Sequence, residues 1–340
     1  MSDSRALKGR ATPVRADWLA YAALAGAVVA IAWSAIFVRW ADIPGSASAF
    51  YRVLIASVVL LPWRVATPRL KSGPIQPAGA RTVAGHGKSL KSRRAFWLAV
   101  AAGVFFALDL ALFNTAVMRS SAATTSLLAG GAPVFVGLGS WLLLRKAPRR
   151  LFWAGLAASL TGSALMIWPA ATVAGDVGAA APRQSVSGDL MAISAAFCFA
   201  AYILAVSKAR ESIDTVTLNT VAIAASTLTL LPICVAIGAP LWGYTRDTWF
   251  ALLWLGVVSQ VGAYLCIAYA LGHLPATVVS IGLLAQAPLT ALLAATLLGE
   301  RLTPLQLLGG ILVLAGIYVV NRAETPAAVV ASGRTSIPPA

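Results

Sequence analysis

Ten apolar stretches constrain this chain more than any other feature, because each is close to the length that crosses a lipid bilayer. A hydrocarbon core of about 30 Å takes roughly 20 residues at about 1.5 Å of rise per residue. The stretches fall at 18–37, 47–63, 96–117, 122–144, 151–168, 190–206, 216–237, 249–271, 276–298 and 305–320, the second, sixth and tenth being the shortest. Backbone N–H and C=O groups inside lipid have no water to bond, so a spanning segment of this kind closes its hydrogen bonds internally as a helix. The expected fold class is therefore all-α integral membrane, with ten transmembrane helices. Composition agrees: 59% of residues are hydrophobic, only 11% are charged, and the mean hydropathy is +0.82, more apolar than a single soluble core tolerates.

The charges that remain are sorted by side. Residues 1–17 form a basic N-terminal tail, and the apolar run behind it lacks a small-residue cleavage site, which predicts a retained first helix. Residues 65–94 form a basic connection rich in Gly, Pro, Ser and Lys. With ten spans and an inside N-terminus, twenty of the 26 Lys and Arg residues fall on the inner side; Arg39, Arg119, Arg183, Arg246 and Arg301 fall outside, and Arg52 lies within a helix. That asymmetry predicts an even number of spans in a bacterial-type inner membrane, with both termini cytoplasmic. It also accounts for the net charge of +15 without nucleic acid, which is not expected as a partner. Cys198, Cys234 and Cys266 all sit in apolar runs, where a thiol acts as a small hydrophobe and suggests no disulfide framework.

The chain repeats itself at an offset of about 154 residues. Gly155 and Gly162 match Gly309 and Gly316, Leu112–Val117 matches Cys266–Leu271, and with one residue of slippage Pro133 matches Pro288. A repeat of five helices ends on the opposite face of the membrane, so the second copy runs inverted to the first. The expected layout is a first repeat at 18–168, an external linker at 169–189, a second repeat at 190–320 and a cytoplasmic tail at 321–340.

The segments "AIAWSAIFVRWA", "AFYRVLIAS", "FFALDLALFNTAV", the Pro133 helix and "LLAQAPLTALLAATLLGERLTPLQLLGGILVLAGIYVV" together resemble the EamA-type permeases of the drug/metabolite transporter superfamily. The likeness runs over 18–321 and is most specific at Gly299–Leu302. One departure stands in the first half, where Arg145 or Lys146 occupies the place of Glu300. The resemblance implies two five-helix repeats and a translocating permease, often an exporter of amino acids or other metabolites. It also implies a central site lined by helices one, three, four, six, eight and nine. Substrate and direction do not transfer with a fold.

Several residues inside the spans carry possible chemistry. Asp109, deep in the third helix, reads either as half of a structural ion pair or as a substrate or proton-coupling residue. Arg52, at similar depth in the second helix, is its candidate partner. Pro133 and Pro288 each remove a backbone donor at matching places in the fourth and ninth helices, which marks either a central site or a packing kink. Gln260 and Gln286 are mid-span amides that must find partners, on a substrate or on a neighbouring helix. Asn114 lies a turn beyond Asp109. Trp33, Phe37, Phe199 and Tyr202 fall at corresponding depths of the first and sixth helices, as pocket walls or as packing. Ser34, Ser259 and Tyr264 would add hydroxyls to the same lining. The glycine pairs read as helix packing, and His86 and His273 as loop residues.

No metal-ligand cluster, nucleotide loop or nucleophile–base spacing stands in any span, so no metal or cofactor is expected and an enzyme is disfavoured. The sequence favours a secondary transporter of a small molecule, an amino acid or amphipathic amine-like solute, working by alternating access, with membrane lipid and possible proton exchange as further partners. Oligomeric state stays open. The rival, a structural or signalling membrane protein, has no need of two proline-broken helices at matched positions.

Overall fold

The structure, a computed structural model, describes residues 14–41, 43–66, 87–119, 122–143, 145, 147–176, 186–297 and 302–324. The two tails beyond these limits, most of the basic connection including His86, and Glu300 with Arg301 lie outside the described residues. Among the described residues every regular element is a helix. In chain order these are α1 (Val14–Ala41), α2 (Gly45–Ala66), α3 (Gly87–Arg119), α4 (Ala122–Ala129), α5 (Ala132–Leu142), α6 (Arg150–Asp176), α7 (Val186–Ala209), α8 (Thr215–Ala236), α9 (Arg246–Trp254), α10 (Ala263–Leu271), α11 (Ala276–Gly282), α12 (Gln286–Leu297) and α13 (Pro304–Glu324). A π-helical segment, Leu255–Gly262, joins α9 to α10, and a short 3₁₀ turn, Leu283–Ala285, joins α11 to α12.

Nine of the resulting helical segments are long and apolar enough to cross a membrane, and α1 supplies a shorter apolar run, Trp18–Ser34. All ten expected spans are present. The second, sixth and tenth, short as apolar runs, become full helices of 22, 24 and 21 residues because their polar ends also turn helical. Likewise α6 continues past residue 168 to Asp176.

The spans form two compact units, and neither unit is one half of the sequence. The first is Met1–Ala107 with Ala205–Leu274, and the second is Leu108–Leu204 with Pro275–Ala340. Each is assembled from helices of both repeats.

In the first unit α2 packs along α8 and the π segment, while α1 packs on α9 and α10. Leu60-Leu61-Pro62 on α2 recurs as Leu230-Leu231-Pro232 on α8, 170 positions later, and both helices run on through their prolines. That offset also carries Ser57 onto Thr227, and the two hydroxyls face each other at 2.9 Å. Contact between equivalent positions is the mark of a pseudo-twofold axis. Cys234 Sγ donates to the Ser46 carbonyl at 3.6 Å towards one end of the crossing, and Arg64 Nε donates to Thr217 Oγ1 at 2.9 Å towards the other. The Ser226 hydroxyl reaches the Gly103 carbonyl of α3 at 2.7 Å.

At the α7–α8 turn Arg210, 3% exposed, donates from Nε to the Ala268 carbonyl at 3.0 Å and from Nη1 to the Ile213 carbonyl at 2.6 Å. The Ala268 carbonyl, in the last turn of α10, also accepts from the Gly272 N–H at 3.2 Å, so the guanidinium is its second donor. Burial lowers the affinity of Arg210 for its proton, while Asp214 and Tyr269 act the other way. Its neighbour His273 is tied in as well: Nδ1 lies 2.9 Å from the Tyr269 carbonyl and its ring 4.3 Å from the Tyr269 ring. It is more than a solvated loop residue.

In the second unit the dominant contact is α6 against α13. Gly155 faces Gly316 and Gly162 faces Gly309. A Cβ built on Gly155 would lie 2.6 Å from the Gly316 carbonyl oxygen, and one on Gly162 would lie 2.5 Å from that of Gly309. The 154-residue offset exchanges these two contacts, and it carries Ser159 onto Val313, whose carbonyl accepts from the Ser159 hydroxyl at 3.3 Å. A second pseudo-twofold crossing results, closed by backbone instead of side chains.

Candidate functional site

The fourth and ninth spans are broken at equivalent places. Between α4 and α5 the chain turns at Gly130 and Gly131, whose N–H groups donate to Ser126 and Leu128 carbonyls at 2.9 and 3.1 Å. The 154-residue offset puts that turn at 284–285, inside the 3₁₀ turn between α11 and α12. The prolines follow each break. Pro133 is in the first turn of α5 and Pro288 in the first turn of α12, positions where the missing N–H has no intrahelical acceptor in any case. Each follows a local departure from α-helical bonding within a span that is otherwise helical. Gln286, half-buried, opens α12. A small apolar recess of about 190 Å³, lined by Met166, Pro288, Leu302, Gln306 and Ile311, adjoins the second break.

The eighth span is disturbed differently. A π segment carries an extra residue per turn, a distortion often found at functional sites, and this one holds Ser259 and Gln260. Ser259 Oγ donates to the Ala30 carbonyl of α1 at 3.0 Å. Gln260 is fully buried, and its Oε1 accepts from Arg52 Nε at 2.8 Å. Within the first unit this amide is the hydrogen-bond partner of Arg52, while Asp109, its candidate partner by depth, belongs to the second unit. Gly256 of the same segment would, with a Cβ, collide with Ile55 at 2.5 Å, so α2 and the π segment touch closely beside Arg52.

Several of the aromatic candidates of the first unit pack against one another. Trp33 and Phe37 of α1 have ring centroids 6.1 Å apart, and Phe37 stacks on Trp254 at 5.0 Å. Tyr264 of α10 meets Phe106 of α3 edge to face at 4.8 Å. Ser34 bonds within its own helix, to the Ile31 carbonyl at 2.7 Å. In the second unit, Asp109 and Asn114 are half-buried on α3, and Asp109 is within electrostatic reach of the Cys198 thiol on α7. Phe199 and Tyr202 of α7 stack at 5.8 Å.

Sequence reasoning overlooked Trp254, Phe106 and Cys198 as neighbours of these residues. Hydropathy gives the depth of a side chain but not the direction it takes around the helix axis, and that direction decides its neighbours. The repeated Leu-Leu-Pro of α2 and α8 was the one signal that could have aligned those two helices.

Ten spans, duplicated, with equivalent helix breaks and in-span polar residues, define a multi-pass membrane protein of the transporter class. The model of the EamA-like transporter family matches residues 18–168 and 186–322. The uncharacterized transporter YwfM of Bacillus subtilis (strain 168) is 30% identical over 214 residues, 62% of this chain and 69% of that protein. An uncharacterized transporter of Archaeoglobus fulgidus is 27% identical over 276 residues, 80% of this chain and 86% of the other. A crystal structure of a further protein shares the fold, with a TM-score of 0.70 at 17% identity over 92% of this chain and 98% of that one. The chain belongs to the EamA-like transporter family, part of the drug/metabolite transporter superfamily.

Proposed function

We propose that this transporter is a secondary carrier of small amino-acid-like or amphipathic amine solutes, working by alternating access in an inner-type membrane with both termini cytoplasmic. The observation that carries the reading is the pair of equivalent breaks, at Gly130–Gly131 and at Leu283–Ala285. Interrupted spans at corresponding places of two inverted repeats free backbone groups for a solute and supply hinges of the same kind to both copies. Aromatic and apolar side chains predominate among the candidates, with few charges, which suits solutes of low net charge over multiply anionic ones. The distribution of Lys and Arg supports the orientation.

The driving force is the solute's own gradient, since Asp109 stands without a second acid at comparable depth in the sequence. Reconstituted protein should show uptake and counterflow of labelled amino acids or amines across proteoliposome membranes. Asp109→Asn should slow exchange and leave its pH dependence unchanged. Loss of pH-driven uptake in that variant, with the protein still monodisperse, would instead make Asp109 the proton-coupling residue. Absence of flux for every member of the panel would remove the substrate class proposed.

A further inference from the structure

Arg52 and Gln260 form a pair with more donors than acceptors. A guanidinium has five N–H groups and no acceptor. Its Nε is spent on Gln260 Oε1 at 2.8 Å, and among the described residues the two Nη groups have no protein partner. Because arginine offers only donors, this bond fixes which end of the amide faces it. Gln260 Nε2 is then turned away, and it is a buried atom without a hydrogen-bond partner. The second unit shows the opposite economy: Gln306 Nε2, also on a span, finds the Met166 carbonyl at 3.4 Å.

An arginine inside a span whose side chain bonds, among the described residues, to an amide alone is an incomplete electrostatic arrangement, since a cation in low dielectric calls for an anion. We propose that Arg52 is the recognition point for the carboxylate of the transported solute, with Gln260 as the positioning residue that holds the guanidinium plane. This rests on the carrier reading above and narrows it, because a carboxylate-bearing solute, zwitterionic or monoanionic, is selected over a simple amine. The two Nη groups present the planar fork that matches a carboxylate through two parallel bonds.

Three features suit the role. Arg52 is half-buried, while its partner Gln260 is fully buried. The pair is held firmly: Gly256 lies against Ile55, and Ser259 is bonded to Ala30. Gln260 lies within the π segment. A single positive charge suits a single negative one; the next cation along α2, Arg64, is twelve residues away, about 18 Å along the helix, and is engaged with Thr217.

The test compares phenylalanine with its decarboxylated counterpart, phenethylamine, in proteoliposomes of phosphatidylcholine containing the full chain. Wild type should prefer the acid. In Arg52→Gln the KM for phenylalanine should rise at least tenfold more than that for phenethylamine. Arg52→Lys, which keeps the charge but not the fork, should fall between, and Gln260→Leu should raise the acid's KM several-fold by releasing the guanidinium. Equal changes for acid and amine in Arg52→Gln would overturn the proposal.

A second arm separates this from the carrier reading. In detergent micelles, phenylacetate should raise the melting temperature of wild type and not of Arg52→Gln, even if neither labelled solute is carried. No difference between the two proteins would overturn the assignment. So would a shift produced only by an anionic phospholipid, which would mark a lipid headgroup contact.

Discussion

The two pseudo-twofold crossings, α2 with α8 and α6 with α13, solve one problem with different chemistry. Both join equivalent helices of the two repeats, and both place a side-chain hydroxyl on the axis: Ser57 with Thr227 in one, Ser159 with the Val313 carbonyl in the other. Around the axis they diverge. The first spaces its helices with side chains and ties them with Cys234–Ser46 and Arg64–Thr217. The second removes side chains altogether at Gly155, Gly162, Gly309 and Gly316, so that backbone meets backbone. Lipid gives no hydrophobic reward for helix association, which leaves close packing and hydrogen bonding as the available forces. This protein uses one of them predominantly in each unit.

The difference can be broken at its strongest point first. Gly162→Leu puts a branched side chain where even a Cβ would meet backbone at 2.5 Å. It should cost about 3 kcal/mol or more, read as loss of the monodisperse peak on size exclusion or as a lowered midpoint in an SDS unfolding titration. An unchanged midpoint would mean that α6 and α13 do not depend on close approach. On the polar side the costs should be smaller and graded. Arg64→Ala, which removes a half-exposed charged donor from Thr217, should lose about 1.5 kcal/mol in the same titration.

Smallest of all should be the pair on the axis. Ser57→Ala should lose about 0.6 kcal/mol, and the double variant with Thr227→Ala should cost no more than the larger single change. Additive losses in that cycle would show that the two hydroxyls are not coupled. A larger loss at Ser57 than at Gly162 would invert the comparison and make polar bonding the main force in both units.

Much of this architecture was legible in the sequence, and the reason is physical. Span length is dictated by the bilayer, so all ten spans could be read from apolar runs. Gly155, Gly162, Gly309 and Gly316 advertised the α6–α13 crossing because close backbone approach admits few other residues. Pro133 and Pro288 pointed to matching positions, each just past a local departure from α-helical bonding. What could not be read was azimuth. A transmembrane helix is apolar on every side, so its periodicity does not state which face meets which neighbour. That is why the bond from Arg52 to Gln260 could not be read from depth, and why the π segment that carries Gln260 left no trace in a run of ordinary helix formers.

One further consequence belongs to biogenesis. The residue that receives Arg52 lies 208 positions further along the chain, in the span that completes the first unit. At about 5–20 residues synthesised per second, roughly 10–40 s separate emergence of the arginine from emergence of its glutamine. During that interval the second helix must be kept at the insertion machinery, tilted so that its guanidinium stays at the lipid headgroups, or shielded by another protein. Neither compact unit can close before the eighth span arrives, so a nascent chain stalled after the first repeat should be exposed to membrane proteases rather than accumulate as a folded half.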